Sequence, residues 1–208
     1  MKIFTLPLVL LCFWRPQEGV QACTCLPTHP QQVFCRSDVV IRAKVVGVTT
    51  GTQVSYYEPI KYHIHQIKLF KGPQNYFDAI YTAPNSAACG VTLSIGIEYL
   101  LMASLQPDGS LYISLCDSFQ PWDALSVTQK KLLNHYGKGC NCKITPCFTL
   151  PCVPSSKAEC LWTDFLALNT PSGHQARNFA CVQQRRGGVC FWKRGNPWYK
   201  STQGRHPY

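Results

Sequence analysis

Apolar and polar residues alternate in two early segments of the chain, a pattern typical of β-strands that bury one face. In residues 39–46, apolar side chains recur at every second position from Val39 to Val45, and Arg42 and Lys44 lie on the other face. We therefore expect a half-buried strand there. Residues 61–70 alternate again and predict a second strand. Its two expected faces carry Tyr62, Ile64 and Phe70 on one side, and Ile67 and Leu69 on the other.

Three further short segments, residues 79–82, 99–105 and 111–115, also have the composition of strands. Pro107-Asp108-Gly109 lies between the last two and is a turn signal, so these two segments are expected to form a hairpin. Several short strands at this spacing predict a small antiparallel β-barrel.

Two helices are expected beside the barrel. Ser126 and Gln129 fit a capping box at the start of a helix that runs to about Tyr136. Its partial apolar stripe consists of Val127, Leu132, Leu133 and Tyr136. A shorter helix is predicted over residues 28–34, after Pro27. The overall prediction is a mainly β protein with flanking helices.

The first 22 residues have the features of a secretory leader. A positive start at Met1-Lys2 precedes an almost wholly apolar run over residues 3–14, and Val20 and Ala22 supply small residues before a cleavage site. The run is too short to span a bilayer, and no later segment approaches about 18 apolar residues. The sequence therefore predicts a signal peptide over residues 1–22, secretion into the extracellular space, and no membrane anchor.

Cysteine usage divides the expected mature chain in two. The chain has 13 cysteines, and removal of the leader with Cys12 leaves twelve, an even number that implies six disulfides in an oxidising compartment. The cysteines alone leave the pairing open. Six widely spaced cysteines are followed by six dense ones, with the boundary near Asn141. We expect one domain over residues 23–140 and a smaller disulfide-rich β domain over residues 141–208.

The chain is strongly basic, with a formal net charge of +10. This charge favours acidic partners such as sulfated glycans, extracellular matrix or an acidic protein face, and it does not predict nucleic acid for a secreted protein. A strip of basic and aromatic residues in the second domain is compatible with glycan binding, and equally with a solvated charged surface. The strip consists of Arg185-Arg186, Phe191-Trp192, Lys193-Arg194, Trp198 and Lys200.

The chain end carries the main chemical signal. Cleavage after Ala22 makes Cys23 the first residue, and Cys23 and Cys25 are too close in sequence to bridge each other comfortably. Each must therefore form its disulfide with a cysteine distant in sequence. Pro27 restricts the backbone that follows Cys25, because proline fixes its own φ angle. A free α-amine with a pKa near 8 and the carbonyl of the same residue can close a five-membered chelate ring. Such an end suits the open position of a catalytic zinc ion in another protein.

Other interpretations of these residue types are weaker. The two Cys-x-Cys pairs could ligate a structural zinc, but zinc sites favour Cys-x2-Cys, and oxidising conditions remove free thiolates. His63 and His65 are expected to be exposed strand residues because no third ligand is evident, and Asp164 is expected to be a turn residue. The chain has no Ser/His/Asp setting, His-Glu-x-x-His motif or phosphate loop, so we do not expect an enzyme.

The chain also resembles a known family. The matching motifs are Cys23-Thr24-Cys25, His29-Pro30-Gln31, Phe34-Cys35, Ser37-Asp38 and residues 40–44, followed by Lys68, Lys71-Gly72, Cys89-Gly90, Pro121-Trp122, Gly139-Cys140, Pro151-Cys152 and residues 160–164. By these residues the chain is similar to the tissue inhibitors of metalloproteinases over essentially all of its expected mature length. Residues 44–47 and 139–144 are most similar to the matrix-binding member of that family.

The resemblance implies a fold and a disulfide pattern. The first domain is then a netrin-like barrel of the oligonucleotide/oligosaccharide-binding (OB-fold) type. The implied pairs in the two domains are Cys23–Cys89, Cys25–Cys116, Cys35–Cys140, Cys142–Cys190, Cys147–Cys152 and Cys160–Cys181.

The resemblance also implies a site. The main-chain amine and carbonyl of Cys23 are the expected ligands of the partner protease's zinc, and the chain has no cofactor of its own. Thr24 is expected to enter the specificity pocket. The remaining implied protease contacts are Cys25, Leu26 and Pro27 along the cleft, and Ser86, Ala87 and Ala88 in a second ridge. Several family members carry Glu-Ser or Ser-Ser where this chain has Ala87-Ala88, which gives a smaller ridge.

Together these observations predict a secreted inhibitor of zinc metalloendopeptidases such as the matrix metalloproteinases. The alternative from another class is a matrix-, glycan- or receptor-binding module that does not inhibit. The state of the chain end distinguishes the two, since only the inhibitor requires a free amine on Cys23.

Overall fold

A computed structural model of the chain describes residues 23–49, 58–184 and 188–195. The predicted signal peptide lies outside the described residues. The strands are β1 (Val39–Thr49), β2 (Ile60–Lys71), β3 (Ala79–Thr82), β4 (Glu98–Leu105), β5 (Leu111–Tyr112), β6 (Phe119–Pro121), β7 (Lys143–Pro146), β8 (Glu159–Trp162), β9 (Phe179–Gln183) and β10 (Cys190–Arg194). The α-helices are α1 (Pro30–Arg36), α2 (Val127–Tyr136), α3 (Asp164–Leu168) and α4 (His174–Asn178), and short 3₁₀ turns span Ser86–Ala88, Trp122–Ala124 and Gly137–Gly139.

Five strands close into a β-barrel, which confirms the predicted fold class. The order is β1-β2-β3-β5-β4, and β4 pairs back onto β1, while β6 pairs with the edge of β4 opposite to β1. The predicted hairpin is present, with Leu105 opposite Leu111. One expectation is wrong in detail, because β3 and β5 pair in parallel through Tyr81 and Tyr112, so the barrel is not wholly antiparallel. The barrel interior holds a core that includes Ile41, Ile64 and Leu101.

Strand β2 departs from simple alternation. Its register against β1 shifts between Val40 and Ile41 and again between Arg42 and Ala43, so the partner jumps from Lys71 to Leu69 and from Lys68 to Gln66. Each irregularity changes the face that later side chains occupy. Leu69 therefore packs on the barrel core with Tyr62 and Ile64, and Phe70 packs on the opposite side. The sequence had predicted the reverse for these two residues.

The barrel is covered on one outer face by the helices. Val40 is fully buried although it points away from the barrel core, and Leu100 and Met102 of β4 are buried beside it. These side chains pack with Phe34 of α1 and Leu133 of α2. The expected half-buried strand at β1 is therefore buried on both faces over its first three residues.

The two predicted helices are present with different boundaries and faces. Helix α1 begins at Pro30 rather than near residue 28, because His29 is the N-cap and a proline fits the first helical position. The capping box of α2 is formed by Ser126 and Gln129 as predicted. Val127, however, is 61% exposed and does not belong to the buried stripe. None of the helices in the described part of the chain is long and apolar enough to cross a membrane.

The last third of the described chain forms two small sheets with their own core. Strands β7 and β8 pair in parallel, and β9 and β10 pair antiparallel. Trp162 is fully buried among Ile144, Ala176 and disulfide sulfurs. Three disulfides, Cys142–Cys190, Cys147–Cys152 and Cys160–Cys181, tie this part together. A core this small needs such covalent support.

Buried Gln31 makes several of the polar contacts between the barrel side and this second part, and the neighbouring Gln32 adds a bond from its Nε2 to the Ile144 oxygen at 2.9 Å. The Nε2 of Gln31 in α1 donates to the carbonyl oxygens of Tyr136 (3.0 Å) and Cys181 (2.6 Å), and its Oε1 accepts from the Cys181 N–H at 2.7 Å. Gln31 is fully buried, so these are desolvated bonds. The approach is close: a Cβ added to Gly139 would lie 1.7 Å from the Cys181 oxygen. The junction therefore depends on complementary polar groups as well as apolar packing.

His29 lies in the same junction and is also fully buried. Its Nδ1 accepts from the Gln31 N–H, and its ring contacts Trp162 and Trp192 with centroids 5.2 and 5.3 Å away. Its Nε2 has no hydrogen-bond partner. Burial in this aromatic surrounding lowers the pKa of His29 to about 4, against a smaller opposing effect of Asp164. The imidazole is therefore neutral at physiological pH.

We expect Gln31→Ala to lower the free energy of unfolding by about 3 kcal/mol, because it leaves buried backbone groups of Tyr136 and Cys181 without partners. Urea denaturation followed by fluorescence measures this. The control is Gln129→Ala, a capping glutamine in an exposed setting, for which about 1 kcal/mol or less is expected. Equal losses in the two variants would show that the Gln31 junction contributes no special stability.

A second prediction concerns pH. The folded-state pKa of His29 lies below its ordinary 6.5, so stability is complete above pH 6.5 and falls as the pH drops toward about 4, by up to about 3 kcal/mol. Glu159 has its pKa lowered to about 2 by hydrogen bonds from Thr145 and Ser155, so its contribution is lost only below its ordinary 4.5. Unfolding of the wild type and of His29→Phe between pH 7 and 4.5 isolates the histidine. Parallel pH profiles for the two proteins would contradict the assignment.

Candidate functional site

The expected chain end is fastened by two neighbouring disulfides. Cys23 bonds to Cys89 and Cys25 bonds to Cys116, with Cα atoms 5.3 and 5.2 Å apart. The sulfurs of Cys23, Cys89 and Cys116 lie within 4.8 Å of one another, so the two bridges are adjacent. The segment from Cys23 to Pro27 has no regular secondary structure. Its position is therefore set by covalent bonds to two distant loops.

Exposure differs along this segment. Cys23 is 8% exposed in the full-length chain, whereas Leu26 is 87% exposed and Thr24 and Pro27 are also exposed. Cys25 lies between these extremes. The segment thus presents Thr24, Leu26 and Pro27 to solvent, while Cys23 is covered and Cys25 is partly covered.

The predicted second ridge is a one-turn 3₁₀ helix, Ser86–Ala88. The side chain of Asn85 accepts a hydrogen bond from the Ala88 N–H at 2.9 Å and caps the turn. Cys89 then adopts a left-handed conformation with φ 63°. Gly90 follows where a Cβ would lie 2.2 Å from the Ala83 oxygen, so only glycine fits. All three ridge residues are exposed, and the Cys23–Cys89 bridge connects them to the chain end.

Hydrogen bonds fix the two receiving loops. The Leu115 N–H donates to the Cys89 oxygen at 2.8 Å, which connects the loop of Cys89 to the loop of Cys116. The guanidinium of Arg36 in α1 donates to the Cys116 oxygen. Lys71 donates to the carbonyl oxygens of Phe34 and Cys35 at the end of the same helix. The chain end therefore rests on a framework made by α1, β2 and two loops.

The sequence did not reveal Asn85 or Arg36 as parts of this framework. An asparagine before three small residues is a typical cap signal and could have identified the turn. Nothing local to Arg36 indicates that its side chain reaches a carbonyl 80 residues away.

Two other candidate chemistries lose their support. The twelve cysteines from Cys23 to Cys190 all form disulfides, with the same pairs as the family resemblance implies, so they offer no thiolate to a metal. The two histidines lie on the outer side of β2. The side chain of His63 is hydrogen-bonded to that of Thr49, and the side chain of His65 is hydrogen-bonded to that of Tyr76.

The surroundings of Asp164 also differ from the expectation of a turn residue. Asp164 begins α3 and is 3% exposed, rather than lying in an open turn. Its carboxylate accepts from the Trp162 indole and from the backbone N–H groups of Gln175 and Ala176. It is a structural acid that holds α3 and α4 together.

The basic strip is only partly described. Lys193 and Arg194 end β10, and Phe191 and Trp192 precede them. Arg185, Arg186, Trp198 and Lys200 lie outside the described residues.

Comparison with known proteins agrees with these features. A family model described as "Tissue inhibitor of metalloproteinase" matches residues 21–192. "Metalloproteinase inhibitor 2" of Cavia porcellus is 51% identical over 199 residues, covering 91% of this chain and 90% of that protein. The protein of that name in Homo sapiens is 51% identical over 197 residues (90% and 87%), and that in Gallus gallus is 46% identical over 199 residues (91% and 88%). The chain belongs to the family of tissue inhibitors of metalloproteinases.

Proposed function

We propose that this protein is a secreted inhibitor of zinc metalloendopeptidases that acts through its mature chain end. One observation carries the proposal: two adjacent disulfides fasten Cys23 and Cys25 while Thr24 between them is exposed. A segment held in this way loses little conformational entropy when it enters a cleft. The relatives' names support metalloproteinases as the target class.

The main-chain amine and carbonyl of Cys23 are the proposed ligands of the target's zinc. Cleavage after Ala22 creates the amine, and its pKa near 8 leaves a useful unprotonated fraction at neutral pH. The two atoms occupy the position that a catalytic zinc keeps for water. The Cys23 sulfur takes no part, because it is bonded to Cys89. The zinc belongs to the protease, and the inhibitor needs no cofactor.

The neighbouring residues supply the proposed contacts with the protein part of the target. Thr24 enters the specificity pocket, and Leu26 and Pro27 continue along the cleft. The Ser86–Ala88 turn lies beside this segment because of the Cys23–Cys89 bridge, and it forms a second contact ridge. Ala87 and Ala88 offer only methyl groups, so Ser86 is the one side chain of this ridge that can hydrogen-bond to a partner.

We also propose the processing and organisation that this mechanism requires. Residues 1–22 are a signal peptide, residues 23–140 form the inhibitory netrin-like domain, and residues 141–208 form a second domain. Three disulfides join cysteines within the range 23–140 and three within 142–190, which supports this division. The protein acts in the extracellular space, and its basic charge favours retention by matrix or sulfated glycans. The similarity to the matrix-binding member stays a prediction.

A binding module without inhibitory activity is the competing function. It predicts that the processed protein leaves a matrix metalloproteinase fully active at equimolar ratio, while it still binds polyanions. Titration of residual protease activity against processed protein separates the two functions directly.

We expect one additional alanine before Cys23 to weaken inhibition by at least about a hundredfold, because the amine that binds zinc becomes an amide. The measurement is the inhibition constant for a matrix metalloproteinase. One additional alanine after Tyr208 is the matched control and should change nothing. Thermal unfolding checks that both proteins keep the fold. Undiminished inhibition by the first variant would exclude the chelate mechanism.

Thr24→Gly is expected to weaken inhibition by about tenfold or more through lost packing in the pocket, with metal binding retained. Thr24→Val keeps the size of the side chain and removes its hydroxyl, so it separates packing from hydrogen bonding. Inhibition constants against several proteases provide the measurement. If Thr24→Gly inhibits all of them as the wild type does, Thr24 is not the pocket residue.

A further inference from the structure

Acidic residues are absent from the surface of the second half of the described chain. After Asp123 the sequence contains only two carboxylates, Glu159 and Asp164, among many lysines and arginines. Both are buried, with exposures of 6% and 3%. Glu159 is held by Thr145, Ser155 and Lys143, and Asp164 by an indole and two backbone N–H groups. The described surface of this half therefore presents cations without exposed carboxylates between them.

Some of these cations line a groove between α2 and the β9–β10 hairpin. One cleft of about 730 Å³ is bordered by His135, Lys138, Gln183, Gln184, Phe191 and Lys193. A second cleft of about 420 Å³ is bordered by Lys131, Asn134, His135, Lys193 and Arg194. Because His135 and Lys193 line both, the two clefts adjoin in series. We call this pair of clefts the cationic groove.

Packing beneath the groove fixes its walls. Ala180 and Val182 of β9 are buried against Leu132 and Tyr136 of α2. Where the chain leaves β10, a Cβ on Gly195 would come within 2.6 Å of the Thr128 methyl, so strand and helix are in close contact. The groove is therefore formed by rigid elements.

Three of the cations that line the groove, Lys138, Lys193 and Arg194, form no ion pair with another described residue. The two ion pairs found among the described residues are Arg42–Glu98 and Lys143–Glu159, and neither includes Lys138, Lys193 or Arg194. The Nδ1 atom of His135 is buried without a hydrogen-bond partner. Burial, Lys193 and Lys138 together lower the pKa of His135 below its ordinary value. A bound anion would relieve this concentration of positive charge.

We propose that the cationic groove is a binding site for a linear sulfated polysaccharide. Cations in two clefts in series suit a chain with repeated anionic groups, and the side-chain amides of Gln183, Gln184 and Asn134 can bond to hydroxyl and sulfate oxygens. An acidic protein face fits less well, because stable protein interfaces have an apolar core. Phe191, at 46% exposure, is the only large apolar side chain that the groove's described lining exposes substantially.

The inference depends on the proposed secretion, which places the chain among sulfated glycans, and it assigns the polyanion partner to one surface. It is independent of protease inhibition, since the groove contains none of the residues proposed to contact the protease. Inhibition and glycan binding can therefore fail separately.

The main test uses the processed full-length chain and a heparin-derived oligosaccharide long enough to span both clefts. Lys138→Ala/Lys193→Ala should lower the affinity by about tenfold, while Lys44→Ala/Lys68→Ala removes the same charge from exposed sites on the barrel strands β1 and β2 and should lower it less than about twofold. Both double variants should inhibit a metalloproteinase as the wild type does. Equal loss of binding in the two variants, or no loss in the first, would overturn the assignment to the groove.

Two further measurements test the site and the ligand class. Binding should raise the pKa of His135, followed through its ring resonances in NMR, because sulfates offset the effect of Lys138 and Lys193. An unchanged His135 titration in saturated protein would contradict the site. Unsulfated hyaluronan and polyglutamate should bind at least about tenfold more weakly than the heparin oligosaccharide. Equal affinity for polyglutamate would overturn the sulfated polysaccharide in favour of an acidic protein partner.

Discussion

The two adjacent disulfides at Cys23 and Cys25 are the constraint on which the site depends. A chain terminus normally keeps most of its conformational freedom, and this freedom would have to be lost on binding. Here the proposed terminus is bonded to Cys89 and Cys116, whose loops are connected by a backbone hydrogen bond, and the side chain of Arg36 in α1 holds the Cys116 loop. The barrel, α1 and the 3₁₀ turn at Ser86–Ala88 thus serve to hold a few residues in one arrangement. The proposed mechanism requires this rigidity, because a mobile amine would bind metal far less tightly.

Local sequence signals predicted the parts of the structure that local physics controls. Alternation identified β1 and β2, and the capping box of Ser126 and Gln129 located α2. The hairpin between β4 and β5 followed from its turn residues. Signals of this kind work because a tight turn or a helix cap is decided by residues that are close in sequence.

Features that depend on distant residues were missed or misjudged. The opposite faces of Leu69 and Phe70 result from register shifts against β1, which alternation within β2 cannot reveal. Helix α1 starts at Pro30, later than predicted, because the side chain of His29 caps it. The hydrogen bonds of Gln31 join groups that are as many as 150 residues apart in sequence. For the site, the leader pattern and the paired cysteines predicted the chain end at Cys23, and the family resemblance implied its disulfide partners, whereas the capping role of Asn85 emerged only from the fold.

The fastening of the chain end also limits where the protein can be active. In a reducing environment the bridges to Cys89 and Cys116 would not persist, and the cysteine thiols would be free. On the proposed mechanism the same polypeptide in the cytosol would have a loose, uncleaved end and would spare the zinc enzymes of the cell that makes it. On this mechanism, oxidation and export would together confine potency to the space outside the cell.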